Sequence, residues 1–166
     1  GEWNDGSKPI MSSMSQSYMH GSTIFDGARA YKNSIPDLHK HCERLINSSK
    51  IFGLSLPISK EELIALCKEG ANYFENDAEL YIRPSIFCDE GFLIPEAKSS
   101  KLVITIFRAP MPHLDGFTAM LSSYRRPHPL SCHVEAKTVG HYINSILATT
   151  EAKEAGFDEA LLLDTE

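Results

Sequence analysis

The fold of this chain is decided by residues 21–31, which read GSTIFDGARAY. Apolar side chains fall on one face of this segment: Ile24, Ala28 and Ala30. The alternation predicts a β-strand over 22–31 with one buried face. Gly27 lies inside the strand and indicates a β-bulge or the close approach of another group.

Two helices are predicted after this strand. A turn at 33–36 precedes the first, which Asp37 is predicted to cap and which ends at Gly53, a residue suited to the left-handed backbone of a helix terminus. Ser59 begins the second helix, because Glu62 follows it three residues later in the spacing of a capping box.

Extended segments follow the helices. Strand-like runs cover 79–88, 101–108 and 116–124, and Pro84 inside the first run indicates an edge position or a bulge. The first twenty residues show little periodicity and are predicted to form turns and a short irregular strand.

The C-terminal part predicts one helix and one strand. An amphipathic helix is predicted over 139–155, and a buried strand over 160–164. Four residues of this helix are predicted to face the core: Ile143, Ile146, Leu147 and Thr150.

Composition limits what kind of protein this is. The 166 residues are 42% hydrophobic and 23% charged, and 16 Lys and Arg against 22 Asp and Glu give a net charge of −6. These values are typical of a globular protein and make nucleic acid or an anionic membrane a poor partner. No apolar run is long enough to span a bilayer. The four cysteines contain no C-x-x-C pair, so we expect a reduced cytoplasmic protein. His39 and His41 face different ways on their helix and do not form a metal-binding pair, so we expect no metal site.

Two prolines within 109–116 predict a linker between two domains. The predicted domains are 1–108 and 117–166. The second holds only one strand, one helix and a further strand, which leaves sheet edges open. We therefore expect the chain to be a fragment of a longer protein.

Four motifs in order resemble those of one enzyme family. They are residues 21–31 with HCERLINS at 41–48, LYIRP at 80–84, SSYRRP at 122–127, and EAKTVGHYINS at 135–145. Together they resemble the branched-chain aminotransferase group of the class IV (fold type IV) enzymes that use pyridoxal phosphate. The resemblance implies an α+β, two-domain class IV aminotransferase fold, with the small α/β domain largely present and only the start of the large cofactor-binding domain.

Lys137 is the central residue of this resemblance. Taken alone it is a lysine just before a helix, where most lysines are solvated surface residues. The resemblance implies that it forms the Schiff base with pyridoxal phosphate, a role that requires a primary amine. It also implies that Arg44 clamps the cofactor phosphate through its forked guanidinium and that Tyr142 hydrogen-bonds the ring oxygen. His141 replaces the asparagine that usually precedes this tyrosine.

Substrate-binding residues are implied in the first predicted domain. Tyr81 and Arg83 project from one face of their strand, and the resemblance implies that they hold a substrate carboxylate. A cross-strand pair on a solvated face is the alternative. Phe25 matches an aromatic residue that lines the substrate pocket, although in isolation it reads as a core residue. Asp26 replaces the glutamate common in the family, and His20 stands where many relatives have a tyrosine that reaches the partner subunit's active site.

The function implied by the resemblance is transamination of branched-chain or related amino acids, with the amino group passed to 2-oxoglutarate. The implied partners are amino-acid and 2-oxo-acid substrates and a second copy of the chain in a homodimer. An aminodeoxychorismate lyase and a D-amino-acid aminotransferase stay open as alternatives. A non-catalytic fragment is the third, if the chain ends at 166, because the family's glutamate that pairs with the cofactor's ring nitrogen lies just beyond that residue.

Overall fold

The computed structural model describes residues 1–32, 34–111 and 115–165, and the chain divides into two compact units. Unit 1 comprises Gly1–Pro110 and Ala136–Val139, and unit 2 comprises Met111–Glu135 and Gly140–Glu166. The predicted domains at 1–108 and 117–166 stay a prediction. The predicted linker at 109–116 includes residues 112–114, and the predicted turn at 33–36 includes residue 33; these four residues lie outside the described part.

Unit 1 is built on a four-stranded antiparallel sheet. Its strands are β1 (Ile24–Phe25), β2 (Ala28–Ala30), β3 (Leu80–Cys88) and β4 (Ser100–Arg108). The central strand is β3, which pairs along its whole length with β4 and, on its other side, with β1 and β2 in one continuous register. The predicted strand over 22–31 is thus two short strands in line, interrupted at Asp26 and Gly27.

Pro84 lies in the central strand, and the register of β3 with β4 is continuous through it, so neither the predicted edge position nor the predicted bulge is found. It is paired with Ile104 of β4, and the Asp26 N–H donates to its carbonyl on the opposite side (3.0 Å). The N–H and C=O of a strand residue point to the same side, so the missing N–H of the proline faces the break between β1 and β2. The ladder between β3 and β4 therefore loses no hydrogen bond at this residue.

Two helices, α2 (Leu38–Ile51) and α3 (Lys60–Ala71), cover one face of the sheet. Leu45 and Leu63 are the largest fully buried side chains that they contribute, and each such burial stabilises the fold by about 1.5–3 kcal/mol. The predicted capping box is confirmed, since Ser59 Oγ accepts from the Glu62 N–H and the Glu62 carboxylate accepts from the Ser59 N–H.

Asp37 is the N-cap residue of α2, as predicted, but its side chain makes no capping hydrogen bond. The backbone of Asp37 has φ 53°, in the left-handed region, and its carboxylate pairs with Lys40 at 2.9 Å. The Asp37 carbonyl instead accepts the N–H groups of Lys40 and His41, so the helix begins through its backbone. At the other end, Gly53 has φ 65°, as expected of a residue just beyond a helix.

A short helix, α1 (Gln16–His20), lies in the region predicted to form turns and an irregular strand. Ser15 caps it by accepting the Tyr18 N–H, and Gly21 ends it with φ 67°. The side chains that α1 buries are polar, Gln16 and Ser17. An apolar periodicity therefore could not have revealed this helix.

Unit 2 contains a βαβ arrangement. Strands β5 (Ala119–Arg125) and β6 (Glu159–Leu163) are parallel, and α4 (Tyr142–Glu154) lies between them in sequence after a 3-10 turn at Val139–His141. The buried residues of α4 are Ala148 and Ala152, which let the helix lie close to the two strands.

The predicted inward face of α4 is therefore wrong. Ile143 and Ile146 are 63% and 60% exposed, and Leu147 is also exposed, as is Thr150. The strand at the end of the chain is not buried either, because Leu161 of β6 is 58% exposed. Within the described residues, no helix combines the length and the apolarity needed to cross a membrane.

Candidate functional site

The sheet face opposite α2 and α3 carries three of the four residues that the sequence predicted to bind substrate. Leu80 and Ile82 of β3 point to the helices and are buried, and Tyr81 and Arg83 alternate with them. Strand side chains point alternately to the two faces, so both project from the far face. Phe25 shares that face, because β1 continues the same register.

Lys137 and Arg83 both lie over the ring of Phe25. Lys137 Nζ is 4.9 Å from the ring centroid, and Arg83 Cζ is 3.9 Å from it. Phe25 is only 3% exposed, and a cation above such a ring gains about 0.5–2 kcal/mol. Three predicted site residues are thus brought together as an amine and a guanidinium on a buried aromatic surface. Two cations in this arrangement suit a bound anion.

The backbone of Lys137 is held by α2 and β1. Its N–H donates to Ser48 Oγ of α2 (3.2 Å), and its carbonyl accepts the N–H of Phe25 (3.0 Å). Ser48 is 1% exposed, so this hydrogen bond is shielded from water. These contacts fix the start of the Lys137 side chain relative to the ring of Phe25.

Thr138 locks the same segment along the edge of β1. It forms an antiparallel bridge with Ile24, and its hydroxyl donates to the carbonyls of Gly21 and Thr23 at 3.2 and 3.0 Å. The residues at 136–139 therefore act as an additional edge of the sheet in unit 1.

Arg44 forms a bidentate ion pair with Asp26. Its Nε donates to Asp26 Oδ2 (2.6 Å) and its Nη2 to Oδ1 (2.8 Å). His41 Nδ1 lies 2.9 Å from Oδ1, and the Gly27 N–H donates to Oδ1 at 2.7 Å. The Asp26 side chain is completely buried. Burial alone would raise its pKa, but the hydrogen bonds from Arg44, Gly27 and His41 hold the pKa below its usual value of 3.8, so Asp26 is charged at neutral pH.

The ion pair of Arg44 with Asp26 and the hydrogen bond from the Lys137 N–H to Ser48 were not predicted from the sequence. Arg44 was assigned only to the cofactor phosphate, and Asp26 was considered only as a departure from the family pattern. The available signal was the alternation of the strand, which places Asp26 on the face that α2 covers.

Tyr81 lies farther along the same sheet face. Its ring centroid is 5.5 Å from that of Phe107, and the Arg29 guanidinium carbon lies 5.5 Å from the Tyr81 centroid. The close approach predicted at Gly27 is confirmed, because a Cβ there would lie 1.9 Å from Tyr81 Oη.

The remaining predicted site residues lie elsewhere. His20 ends α1 and meets Phe92 edge-on, with ring centroids 5.9 Å apart. Tyr142 is the first residue of α4 in unit 2. Their roles, like those of the other site residues, stay predictions. Among the described residues, no group of three or more His, Cys, Asp or Glu side chains is arranged to hold a metal ion.

Sequence comparison relates the chain to one family. The model of the amino-transferase class IV family matches residues 23–166. A probable branched-chain-amino-acid aminotransferase of Rickettsia typhi is 35% identical over 156 residues, which cover 92% of this chain and 54% of the relative. The branched-chain-amino-acid aminotransferase of Escherichia coli is 30% identical, with 98% of this chain and 55% of the relative covered.

Solved structures agree with this relationship. An aminotransferase from Brucella abortus, bound to the cofactor PLP, has a TM-score of 0.94 and 36% identity over 99% of this chain and 60% of its own. The T.th. branched-chain amino acid aminotransferase, in complex with N-(5'-phosphopyridoxyl)-L-glutamate, has a TM-score of 0.87 and 29% identity over 96% and 56%. The chain spans about half the length of the curated relatives that it matches. With its α+β fold and a family match over most of its residues, the chain belongs to the class IV aminotransferases.

Proposed function

We propose that the full-length protein is a pyridoxal-phosphate-dependent aminotransferase that acts on branched-chain or related amino acids and passes the amino group to 2-oxoglutarate. The observation that carries this proposal is the placement of Lys137 Nζ and the Arg83 guanidinium over the ring of Phe25. The relatives named as branched-chain aminotransferases support the substrate class. The similar structures that hold PLP, or a phosphopyridoxyl adduct of glutamate, support the cofactor and the glutamate/2-oxoglutarate pair.

The side chains of unit 1 fit this cofactor. Lys137 offers a primary amine on a backbone held by two hydrogen bonds, and Arg44 offers a guanidinium whose orientation Asp26 fixes. When bound, pyridoxal phosphate supplies an aldehyde that condenses with amines and a ring that accepts electrons from the substrate's α-carbon. We assign Lys137 the covalent attachment of the cofactor and the movement of the proton at the substrate α-carbon.

The other predicted residues bind and orient the cofactor and the substrate. Arg44 pairs with the cofactor phosphate, a task for which its planar guanidinium is suited. Tyr142 keeps the role that the sequence predicts for it, a hydrogen bond to the ring oxygen of the cofactor. Tyr81 and Arg83 hold the substrate carboxylate, and Phe25 shapes the pocket for its side chain. The shared sheet face of these three residues supports their assignment to one binding site.

We further propose that the protein forms a homodimer, in which His20 of each subunit contributes to the active site of the other subunit. An exposed apolar patch in unit 1 supports this: Tyr18, Met19, Phe92, Leu93 and Ile94 are between 50% and 80% exposed. Gln16 Nε2 donates to the Leu93 carbonyl (3.3 Å), and His20 packs on Phe92, so the patch is ordered. A contiguous apolar surface of this kind is typical of a protein interface.

We place the protein in the cytoplasm. All four cysteines are free thiols, and three of them, Cys42, Cys67 and Cys88, are buried. Unpaired thiols are typical of proteins that reside in a reducing compartment.

A donor screen tests the proposed function. The full-length protein is incubated with pyridoxal phosphate, 2-oxoglutarate and one amino donor, and glutamate is measured. We expect turnover with L-leucine, L-isoleucine and L-valine, none for Lys137→Ala, and normal turnover for Lys68→Ala, an exposed lysine of α3. Glutamate formed from D-alanine in place of the L-amino acids, or consumption of aminodeoxychorismate without formation of glutamate, would contradict the substrate class. No turnover by the folded, cofactor-loaded protein would contradict the activity.

A further inference from the structure

We propose that Asp26 is a positioning residue that fixes the Arg44 guanidinium for the phosphate of the cofactor. This inference rests on the proposed function, in which Arg44 binds that phosphate. It assigns to Asp26 no contact with the cofactor itself. Asp26 acts through the two hydrogen bonds that it accepts from Arg44 Nε and Nη2.

The carboxylate of Asp26 is a rigid anchor. Both of its oxygens accept from Arg44, and Oδ1 also accepts from the Gly27 N–H, with His41 Nδ1 at hydrogen-bond distance. Its own N–H is tied to the Pro84 carbonyl of the central strand at 3.0 Å. The side chain is completely buried, so its orientation is set by the sheet rather than by solvent.

Arg44 needs such an anchor because it is long and lies near the surface. Its side chain is 51% exposed, and an arginine in that setting has many accessible rotamers. The adjacent carboxylate on the same helix, Glu43, is directed to Lys60 of α3 at 3.8 Å. A bidentate pair with a buried carboxylate selects one orientation of the guanidinium before the phosphate arrives, which lowers the entropy lost on binding.

Two effects of Asp26 on phosphate binding oppose each other. Its charge cancels that of Arg44 and weakens the attraction for an anion, whereas its hydrogen bonds orient the fork. Because Arg44 is half exposed, solvent screens the Coulomb part strongly. Orientation is therefore the larger effect, and removal of the Asp26 charge is expected to weaken phosphate binding although it makes the site more positive.

The test compares pyridoxal phosphate with pyridoxal, which lacks the phosphate, on the full-length protein. We expect Asp26→Asn to raise the dissociation constant of pyridoxal phosphate roughly tenfold or more and to leave that of pyridoxal unchanged. Asp26→Glu, which keeps the carboxylate, should recover most of the affinity. The matched control Glu43→Gln should change neither constant. In an Arg44→Gln background, Asp26→Asn should have no further effect, because Asp26 acts through Arg44.

The proposal is overturned if Asp26→Asn binds pyridoxal phosphate as tightly as the unmodified protein or more tightly, if it weakens both ligands equally, or if its effect adds to that of Arg44→Gln. Failure of the underlying function looks different. In that case the unmodified protein does not prefer pyridoxal phosphate over pyridoxal, or Arg44→Gln leaves the preference intact, and either result also removes the basis for a role of Asp26.

If the Asp26→Asn variant does not fold, a measurement on the unmodified protein still tests the proposal. The Nε–H resonance of Arg44 is followed by NMR during addition of inorganic phosphate. We expect the resonance to stay protected from exchange with water, since the pair with Asp26 persists when phosphate binds. Loss of this protection as phosphate binds would overturn the proposal.

Discussion

Phe25 ends β1 and Asp26 follows it directly, and the side chains of these two residues point to opposite faces of the sheet. The ring of Phe25 lies beneath Lys137 and Arg83, and the carboxylate of Asp26 binds Arg44 of the covering helix. Because strand side chains alternate, this dipeptide joins the two halves of the proposed cofactor site through a single peptide bond. A shift of β1 would therefore disturb both halves together.

Replacing Ser48 should loosen the backbone at Lys137. Ser48→Ala removes the hydroxyl that accepts the Lys137 N–H in a buried position, which costs about 1–3 kcal/mol in unfolding free energy. Hydrogen exchange of the Lys137 amide should become faster. The matched control is Ser49→Ala, another buried serine, whose hydroxyl donates to the Ile46 carbonyl within the same helix. Equal exchange rates at Lys137 in the two variants would contradict this assignment.

Adding a methyl group at Gly27 should displace Tyr81. A Cβ there would lie 1.9 Å from Tyr81 Oη and 2.4 Å from Cζ, and Tyr81 is confined by Phe107. We expect Gly27→Ala to lower the unfolding free energy by about 1–3 kcal/mol, measured by urea denaturation. In a Tyr81→Ala background the same substitution should cost little, because the clash is gone. A cost of equal size in both backgrounds would rule out this steric explanation.

Acid should destabilise the protein partly through Asp26. Burial raises the pKa of this carboxyl, but the hydrogen bonds from Arg44, Gly27 and His41 outweigh burial and keep the pKa below 3.8 in the folded protein. Because the pKa of Asp26 is lower in the folded than in the unfolded protein, the charged carboxylate stabilises the fold fully at pH values above its unfolded-state pKa. This stabilisation is lost as the pH falls below 3.8 through the folded-state pKa.

The corresponding experiment follows the unfolding free energy in urea from about pH 7 down to about pH 3. Asp26→Asn should be less stable at neutral pH and should lose less stability in acid than the unmodified protein. Glu43→Gln, which removes an exposed carboxylate from the same helix, should retain the steep acid limb. An Asp26→Asn curve parallel to that of the unmodified protein would show that the Asp26 carboxyl contributes nothing to the acid limb.

A charge in the apolar patch should dissociate the proposed homodimer. Leu93 belongs to the patch and is 71% exposed, and Leu93→Asp should weaken dimerisation tenfold or more, as measured by sedimentation velocity across a concentration series. Leu130→Asp, the same substitution at a leucine 92% exposed in unit 2, should leave the dimer intact. If the Leu93→Asp variant dimerises normally, the patch is not the dimer interface. If the unmodified protein is monomeric at every concentration tested, the proposed homodimer does not form.

Local signals in the sequence predicted much of unit 1. The capping box at Ser59 and Glu62, the position of Gly53 beyond a helix and the tight approach at Gly27 each depend on a few neighbouring residues, and each is found in the structure. The alternation of Tyr81 and Arg83 with buried residues also follows from local periodicity.

The predictions that failed concern residues whose burial or pairing depends on packing between elements that are distant in the sequence. The helix α1 buries Gln16 and Ser17, so it carries no apolar stripe. In α4 the contact with two strands is made by alanines, and the large aliphatic residues that periodicity assigned to the core are exposed. The ion pair of Arg44 with Asp26 joins residues on separate elements, so no spacing rule along a helix could reveal it.

The central claim is that Lys137 attaches the cofactor, and a borohydride trap on the full-length protein tests it most directly. The protein is incubated with pyridoxal phosphate, reduced, digested, and the modified peptide is located by mass, with Lys68→Ala and Lys137→Ala treated in parallel. The account predicts one label, on Lys137, in the unmodified protein and in Lys68→Ala, and none in a folded Lys137→Ala. A label on another lysine, or a reducible cofactor bond that persists in Lys137→Ala, would contradict it.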